Sequence, residues 1–137
     1  MGLVVDASIA MGWLLQSQVS DLAIAVEDRI ATEDGWVPGH FGLEVARSLR
    51  RQERAGLLTP DFVDAALARL RNYPLKQDIF DRFGNLEATV RLARQHTLRV
   101  ADAAYLELAL RINLPLATRD RKLAAAAANA GAALFKP

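Results

Sequence analysis

The chain has 137 residues, no cysteine, 52% hydrophobic residues and a formal net charge of +1 at pH 7. This composition predicts a single globular domain over residues 1–137 and argues against intrinsic disorder. It excludes disulfide bonds and thiolate metal sites, and it favours a reducing compartment. No stretch approaches the ~18 continuous apolar residues of a membrane span, and no signal-peptide pattern is present, so we expect a cytoplasmic protein.

The first half of the chain predicts short strands followed by helices. The apolar run 3–5 indicates a buried strand that ends at Asp6, with a helix directly behind it. A second helix begins at Ser20 or Asp21 and is broken by Gly35, and residues 36–37 form a second strand. A third helix runs over 40–54, and a fourth begins at Pro60 and ends near residue 73.

The second half continues this alternation. Residues 74–79 predict a third strand, followed by helices over 81–96 and 102–112. A strand at 116–118, a helix over 120–130 that Gly131 ends, and a strand at 133–135 complete the chain. Strands alternating with helices indicate an α/β protein with three layers, α/β/α, around a mostly parallel central sheet.

Two aspartates stand where a strand gives way to a helix. Asp6 follows the first strand, and Asp120 follows the strand at 116–118. In an open parallel sheet, ligands bind outside the carboxyl ends of strands, where the strand order reverses, so two acids delivered there can meet. The alternative is that each aspartate is only a helix N-cap, a role that aspartate favours.

Two further acids lie on helices. Asp102 falls on the same helical face as Leu106 and Ala109, which turns it toward the packed side, although it can also cap its helix. Glu44 is expected in mid-helix at the edge of an apolar stripe, where an acid is costly unless it is paired or binds a cation. A pair with Arg47 or Arg51 is the alternative for Glu44.

Four carboxylates in one pocket would repel each other, and such a cluster persists by taking up protons or by holding a divalent cation. An oxygen-only set of Asp6, Glu44, Asp102 and Asp120 suits Mg²⁺ or Mn²⁺ better than zinc. Such ions support phosphodiester hydrolysis without a Ser, Cys or His nucleophile. The sequence therefore predicts these four residues as catalytic and metal-binding.

Other polar residues lie close to these acids. Ser8 and Thr118 flank two of them and can hold a carboxylate, or can form local backbone hydrogen bonds. His40 stands one turn before Glu44 and can orient it, or can cap or pack. Arginines cluster at 47–54, and Arg47, Arg50 and Arg51 are candidates for phosphate binding, whereas a solvated helix face is the alternative.

Four segments resemble the motifs of the PIN-domain ribonucleases, and within them the bacterial VapC-like toxins. They are Val4-Val5-Asp6-Ala7-Ser8, residues 38–49 around Glu44-Val45-Ala46, residues 100–106 around Asp102, and residues 116–123 around Asp120. The four matches follow in order over nearly the whole chain. At the position three residues after Glu44, where many relatives carry asparagine, this chain has Arg47, which can pair with Glu44 or grip a phosphate.

The resemblance implies cleavage of RNA that depends on Mg²⁺ or Mn²⁺, with acid roles for Asp6, Glu44, Asp102 and Asp120 and supporting roles for Ser8 and Thr118. It implies a homodimer inhibited by a cognate antitoxin. The apolar Trp13-Leu14-Leu15 segment is a candidate docking surface for that antitoxin.

Two other functions are compatible with parts of the sequence. One is a stand-alone nuclease of RNA processing or repair. The other is a receiver-like signalling module without enzymatic activity. Such a module needs a second acid beside Asp6, a phosphorylated aspartate for which Asp78 is a poor candidate, and a late lysine. A hydrolase with an aspartate nucleophile would want an acid where Ser8 stands.

Overall fold

A computed structural model describes residues 1–79 and 83–137. Its strands are β1 (Gly2–Val5), β2 (Asp34–Val37), β3 (Leu75–Gln77) and β4 (Leu116–Ala117). The helices in the described part of the chain are α1 (Ala7–Leu14), α2 (Asp21–Ile30), α3 (Phe41–Arg54), α4 (Pro60–Leu70), α5 (Leu86–His96), α6 (Val100–Ile112) and α7 (Arg121–Ala130). A short 3₁₀ helix at Gln16–Gln18 follows α1.

The strands form one parallel sheet in the order β3-β2-β1-β4. The chain first moves outward from β1 through β2 to β3, and then returns to place β4 on the other side of β1. The strand order therefore reverses between β1 and β4, which is where an open α/β sheet binds its ligands. Asp6 and Thr118 each directly follow one of these two strands.

Helices cover both faces of this sheet. Connections between parallel strands are right-handed, so α1–α4, on the outward path, lie on one face, and α5 and α6, on the return path, lie on the other. Helix α2 contacts β1 from the first side, and α6 contacts β1 and β4 from the second, with α5 and α7 packed on α6. The predicted three-layer α/β/α fold is confirmed.

The core is built from side chains that the apolar runs of the sequence placed on strands and inner helix faces. Val4, Val5 and Leu116 are fully buried in the central strands, and Ile9 and Leu106 pack from the two helical layers. The prediction of a docking surface at Trp13, Leu14 and Leu15 was wrong, because all three residues are buried in this core. The indole nitrogen of Trp13 donates to the carbonyl of Ala23, which links α1 to α2.

Most predicted element boundaries agree with the structure within a few residues. Ser20 is the N-cap of α2, and its hydroxyl accepts from the Ala23 amide at 3.0 Å. Gly131 follows α7 with φ of +85°, a conformation that favours glycine. The predicted helix over 81–96 begins only at Leu86, because residues 83–85 form a turn, and Asp81 lies outside the described residues.

Three predictions of local structure need correction. Helix α6 begins at Val100, so Asp102 lies in its first turn and does not cap it. Glu44 lies in the first turn of α3 and not in mid-helix. The predicted strand at 133–135 is reduced to one parallel bridge between Leu116 and Leu134.

In the part of the chain that the structure describes, no helix combines the length and the apolar character that a membrane crossing requires.

Candidate active site

Asp6 is held by two hydroxyl groups at the end of β1. Its Oδ2 accepts hydrogen bonds from Ser8 Oγ and from Thr118 Oγ1, each at 2.7 Å. The side chain makes no capping bond to α1, although Asp6 stands at the N-cap position. The capping alternative therefore fails for Asp6. Because both hydroxyls bind Oδ2, the other oxygen, Oδ1, stays available for another partner within the described residues.

The loop after β4 is joined to the loop after β1. The Asp6 amide donates to the Ala117 carbonyl, and the Arg119 amide donates to Ser8 Oγ at 3.0 Å. The Asp120 amide donates to Thr118 Oγ1, so one threonine hydroxyl connects two acids. These bonds fix Asp6 and Asp120 relative to each other at the point where the strand order reverses.

Asp120 has a double role in this arrangement. Its Oδ1 accepts from the amides of Lys122 at 2.9 Å and Leu123 at 3.3 Å, so it is the N-cap of α7. The capping alternative is therefore correct for one oxygen of Asp120. The same side chain also lines the cavity in which Asp6 lies.

Glu44 contacts one residue of α6 and one residue at the start of its own helix. Tyr105 on α6 donates its hydroxyl to Glu44 Oε1 at 2.5 Å. His40 Nε2 lies 3.5 Å from the same oxygen and donates to the Ala101 carbonyl at 2.9 Å. The predicted alternative of a pair with Arg47 or Arg51 is not the arrangement found, because Glu44 contacts Tyr105 and His40 instead.

Asp102 faces the same cavity from the first turn of α6. Arg99, the N-cap residue of this helix, binds it with two hydrogen bonds, from Nε to Oδ2 at 2.9 Å and from Nη2 to Oδ1 at 3.3 Å. An acid in the first turn of a helix is also favoured by the helix dipole.

One cavity of about 550 Å³ is lined by all four predicted acids. They come from four different places in the sequence, two at strand ends and two in first helical turns. Ser8, Arg51 and Arg99 also line this cavity. The structure thus brings together Asp6, Glu44, Asp102 and Asp120, which the sequence predicted as one constellation.

The electrostatics agree with this proximity. Burial raises the pKa of the Asp6 carboxyl, the hydrogen bonds from Thr118 and Ser8 act in the opposite direction, and the negative charges of Glu44 and Asp102 raise it further. Burial also raises the pKa of the Tyr105 hydroxyl, with the charge of Asp6 acting in the same direction. Tyr105 is therefore a permanent hydrogen-bond donor to Glu44 near neutral pH.

The residues fit a hard divalent cation by their donor chemistry, since the acids offer only carboxylate oxygens and hydroxyls stand beside them. Asp6 in particular keeps Oδ1 clear of the two hydroxyls that fix Oδ2. In this arrangement, however, no three His, Asp or Glu side chains among residues 1–79 and 83–137 are grouped closely enough to hold one ion together. Side chains such as Asp102, which is clamped by Arg99, would have to turn for this purpose.

The three arginines predicted as phosphate ligands are separated by the structure. Arg51 lines the cavity of the acids. Arg50 is exposed and binds Glu53 on its own helix at 2.7 Å, and Arg47 is exposed and is not part of the cavity lining.

Sequence reasoning overlooked two residues that contact the acids. Tyr105 belongs to the segment that resembles the third motif, and a tyrosine hydroxyl on a buried helix face needs a polar partner. Arg99 stands three residues before Asp102, the spacing of a helical ion pair. The sequence contains both signals, but it does not show that the polar partner of Tyr105 is Glu44 or that Arg99 lines the cavity of the acids.

Comparisons with known proteins agree with the fold and the motif order. Residues 3–129 match the PIN domain family, so this chain belongs to the PIN-domain family. It is 42% identical over 123 residues to Ribonuclease VapC3 of Mycobacterium tuberculosis, covering 90% of this chain and 85% of the relative. The resemblance inferred from the four motifs is thereby confirmed.

Solved structures show the same fold at lower identity. VapC20 of Mycobacterium tuberculosis, described as a toxin that cleaves the sarcin-ricin loop, is similar with a TM-score of 0.70 and 14% identity, covering 98% of this chain and 99% of the other. FitAcB of Neisseria gonorrhoeae has a TM-score of 0.67 and 20% identity, with 98% and 97% covered. PAE2754 of Pyrobaculum aerophilum has a TM-score of 0.67 and 22% identity, with 92% and 79% covered.

Proposed function

We propose that this chain is an endoribonuclease that hydrolyses RNA phosphodiester bonds with Mg²⁺ or Mn²⁺, and that it is the toxin of a toxin–antitoxin pair. The observation that supports this most is the single cavity lined by Asp6, Glu44, Asp102 and Asp120. The 42% identity to a protein named a ribonuclease, Ribonuclease VapC3, points to the same activity.

In this proposal the metal is held by Asp6, Glu44, Asp102 and Asp120. A bound divalent cation supplies charge stabilisation and activation of water for phosphodiester hydrolysis. Ser8 and Thr118 act as supporting residues, because their hydroxyls fix Oδ2 of Asp6 and thereby set the direction in which Oδ1 is presented.

Other residues orient Glu44 or line the cavity beside it. Tyr105 holds Glu44 Oε1 by a hydrogen bond, and His40, which donates to the Ala101 carbonyl, lies 3.5 Å from the same oxygen, so this carboxylate is already oriented before substrate arrives. Arg51 lines the cavity and is the best placed of the three predicted arginines to contact an RNA phosphate. Arg47 and Arg50 would contribute only outside the cavity.

The activity is tested by incubating the purified protein with total cellular RNA and mapping the cut sites by sequencing. We expect cleavage with Mg²⁺ or Mn²⁺, loss in EDTA, and loss in the Asp6→Asn variant. Asp64→Asn is the matched control, because Asp64 is exposed on α4 and lies outside the cavity lining. Full cleavage by Asp6→Asn, or in EDTA, would refute the four-acid mechanism.

The toxin role has a test of its own in living cells. We expect expression of the chain to arrest growth, and co-expression of a small antitoxin encoded beside it to relieve the arrest. Active enzyme without growth arrest would instead favour the alternative of a stand-alone nuclease of RNA processing or repair.

The fold does not favour the alternative of a receiver-like signalling module. The strand order β3-β2-β1-β4 differs from the 2-1-3-4-5 order of such modules.

The proposal includes a cytoplasmic location, in keeping with the absence of cysteine, and a homodimer. Leu43, Leu86 and Val100 are exposed apolar residues around one cavity of about 450 Å³, and a second copy of the chain would bury them. Light scattering after size-exclusion chromatography should give the mass of a dimer, and Leu43→Arg should shift it toward the monomer.

A further inference from the structure

Arg99 is paired with Asp102 on the lining of the cavity that holds the four acids. Its side chain is 65% exposed, whereas the side chain of its partner Asp102 is 14% exposed. The guanidinium engages both carboxylate oxygens of Asp102, and Arg99 lines the same cavity as the other three acids. In this arrangement Arg99 supplies the positive charge beside Asp102.

This arrangement is incompatible with full use of Asp102 as a metal ligand. A carboxylate whose two oxygens both accept from one guanidinium has fewer lone pairs to offer a cation, and the two positive charges repel each other. A cation that takes up both oxygens of Asp102 therefore displaces Arg99. The cation then replaces the guanidinium as the positive charge beside Asp102, and the ion pair that is lost has one exposed partner and contributes little to stability.

Once released, Arg99 would remain tethered at the mouth of the cavity. It is the N-cap residue of α6, and its long side chain is 65% exposed. A guanidinium presents donors in a planar fork that fits two oxygens of one phosphate group. An RNA phosphate approaching the acids would pass this fork.

We infer that Arg99 has two alternating roles: without metal it clamps Asp102, and with metal bound it releases Asp102 and binds an RNA phosphate at the cavity mouth. This inference rests on the proposed function, because it requires a cation at Asp102. It makes Arg99 a substrate-binding residue that also competes with the cation for the same carboxylate.

The test measures Mn²⁺ binding to the full-length protein by isothermal titration calorimetry, with no RNA present. We expect Arg99→Gln to bind Mn²⁺ about two- to fivefold more tightly than the wild type, because the competing cation is removed. Arg119→Gln is the local charge control, since Arg119 donates to the Gln18 carbonyl beside the cavity. Arg94→Gln, exposed on α5, is the remote control.

A second measurement follows binding of a fluorescent single-stranded oligodeoxynucleotide, whose integrity is checked on a gel. With Mn²⁺, Arg99→Gln should bind this phosphodiester probe about tenfold more weakly than the wild type. In EDTA the two proteins should differ by less than about twofold, because Arg99 of the wild type is then engaged with Asp102. Arg99→Lys should fall between them, because it keeps the charge but loses the fork.

The outcomes separate this inference from the proposed function. If the wild type binds no Mn²⁺, the metal-dependent function itself is refuted, and this inference with it. If the wild type binds Mn²⁺ but Arg99→Gln binds it equally or more weakly, Arg99 only supports Asp102, and the inference alone is overturned. Loss of probe binding that is equal with Mn²⁺ and in EDTA would also overturn it.

Discussion

The hydroxyl of Tyr105 donates to Glu44 Oε1 over 2.5 Å and so joins α6 to α3 beside the acidic cavity. The tyrosine ring is fully buried, and the bond ends on a carboxylate whose side chain is 18% exposed. This contact fixes one acid of the site through a residue 61 positions away in sequence.

The Tyr105→Phe variant removes this bond and keeps the buried ring. We expect the free energy of unfolding, measured by urea denaturation, to fall by about 1 kcal/mol. Cleavage at saturating metal should fall by about tenfold, because the orientation of Glu44 is lost. Unchanged cleavage together with the expected loss of stability would mean that Tyr105 only supports the fold.

Asp6 should destabilise the metal-free protein near neutral pH. Burial raises its pKa above the ordinary value of 3.8, so the folded state holds the Asp6 proton more tightly than the unfolded state does. The protonated Asp6 carboxyl therefore adds to the free energy of unfolding below the pKa of the unfolded state. This contribution is lost as the pH rises through the pKa of the folded state. Asp6→Asn, whose amide oxygen can accept from Ser8 and Thr118, does not ionise.

In EDTA we therefore expect Asp6→Asn to melt at a higher temperature than the wild type at pH 7, with a difference that shrinks toward pH 4. Scanning calorimetry over this range measures the effect. A variant that is less stable than the wild type at pH 7 would show that the hydrogen bonds of the Asp6 carboxylate outweigh the cost of its burial and of its repulsion by the neighbouring acids.

The sequence predicted the order of most elements and the grouping of four acids, which the structure places around one cavity. Period and capping signals are local, and so β1 and α7 were predicted close to their observed bounds, whereas α2 already ends at Ile30 and Gly35, predicted to break it, lies within β2. The proximity of Asp6 and Asp120 was predicted from the general rule that ligands bind at the carboxyl ends of parallel strands, and this rule needs only the order of strands and helices.

The partners of these acids were not predictable, because they depend on packing between distant elements. The bond from Tyr105 to Glu44 requires the crossing of α3 and α6 to be known. The burial of Trp13 requires α1 to be covered, and this residue stacks on Tyr73 with ring centroids 4.4 Å apart. An apolar segment alone does not show whether a partner or the chain itself covers it.

Arg111 should matter for stability more than for catalysis. Its guanidinium binds Glu107, whose side chain is 7% exposed, and also Asp78 in the segment after β3. We expect Arg111→Met to lower the free energy of unfolding by about 2–3 kcal/mol, because it leaves the buried carboxylate of Glu107 and the half-buried carboxylate of Asp78 without this cation. Adding Glu107→Gln should recover part of the loss, since the amide still accepts from Asn85 and carries no charge.

Thr118 should control how well Asp6 binds metal. Thr118→Val keeps the shape of the buried side chain but removes the hydroxyl that donates to Asp6 and accepts from the Asp120 amide. We expect Mn²⁺ affinity, measured by calorimetry, to fall by about tenfold. Thr118→Ser restores the hydroxyl and should recover most of the affinity, whereas equal affinity in all three proteins would exclude a supporting role.

The arginines of α3 should differ in their contact with RNA. Arg51 and Arg47, one turn apart, are both exposed, but Arg51 lines the cavity and Arg47 does not. We expect Arg51→Gln to weaken binding of a single-stranded probe and to reduce the slope of log affinity against log salt by about 0.7, the value for one lost phosphate contact. Arg47→Gln removes the same charge from the same helix, and so it controls for long-range attraction. Equal slopes for the two variants would show that the helix attracts RNA only through its net charge, and that Arg51 makes no phosphate contact of its own.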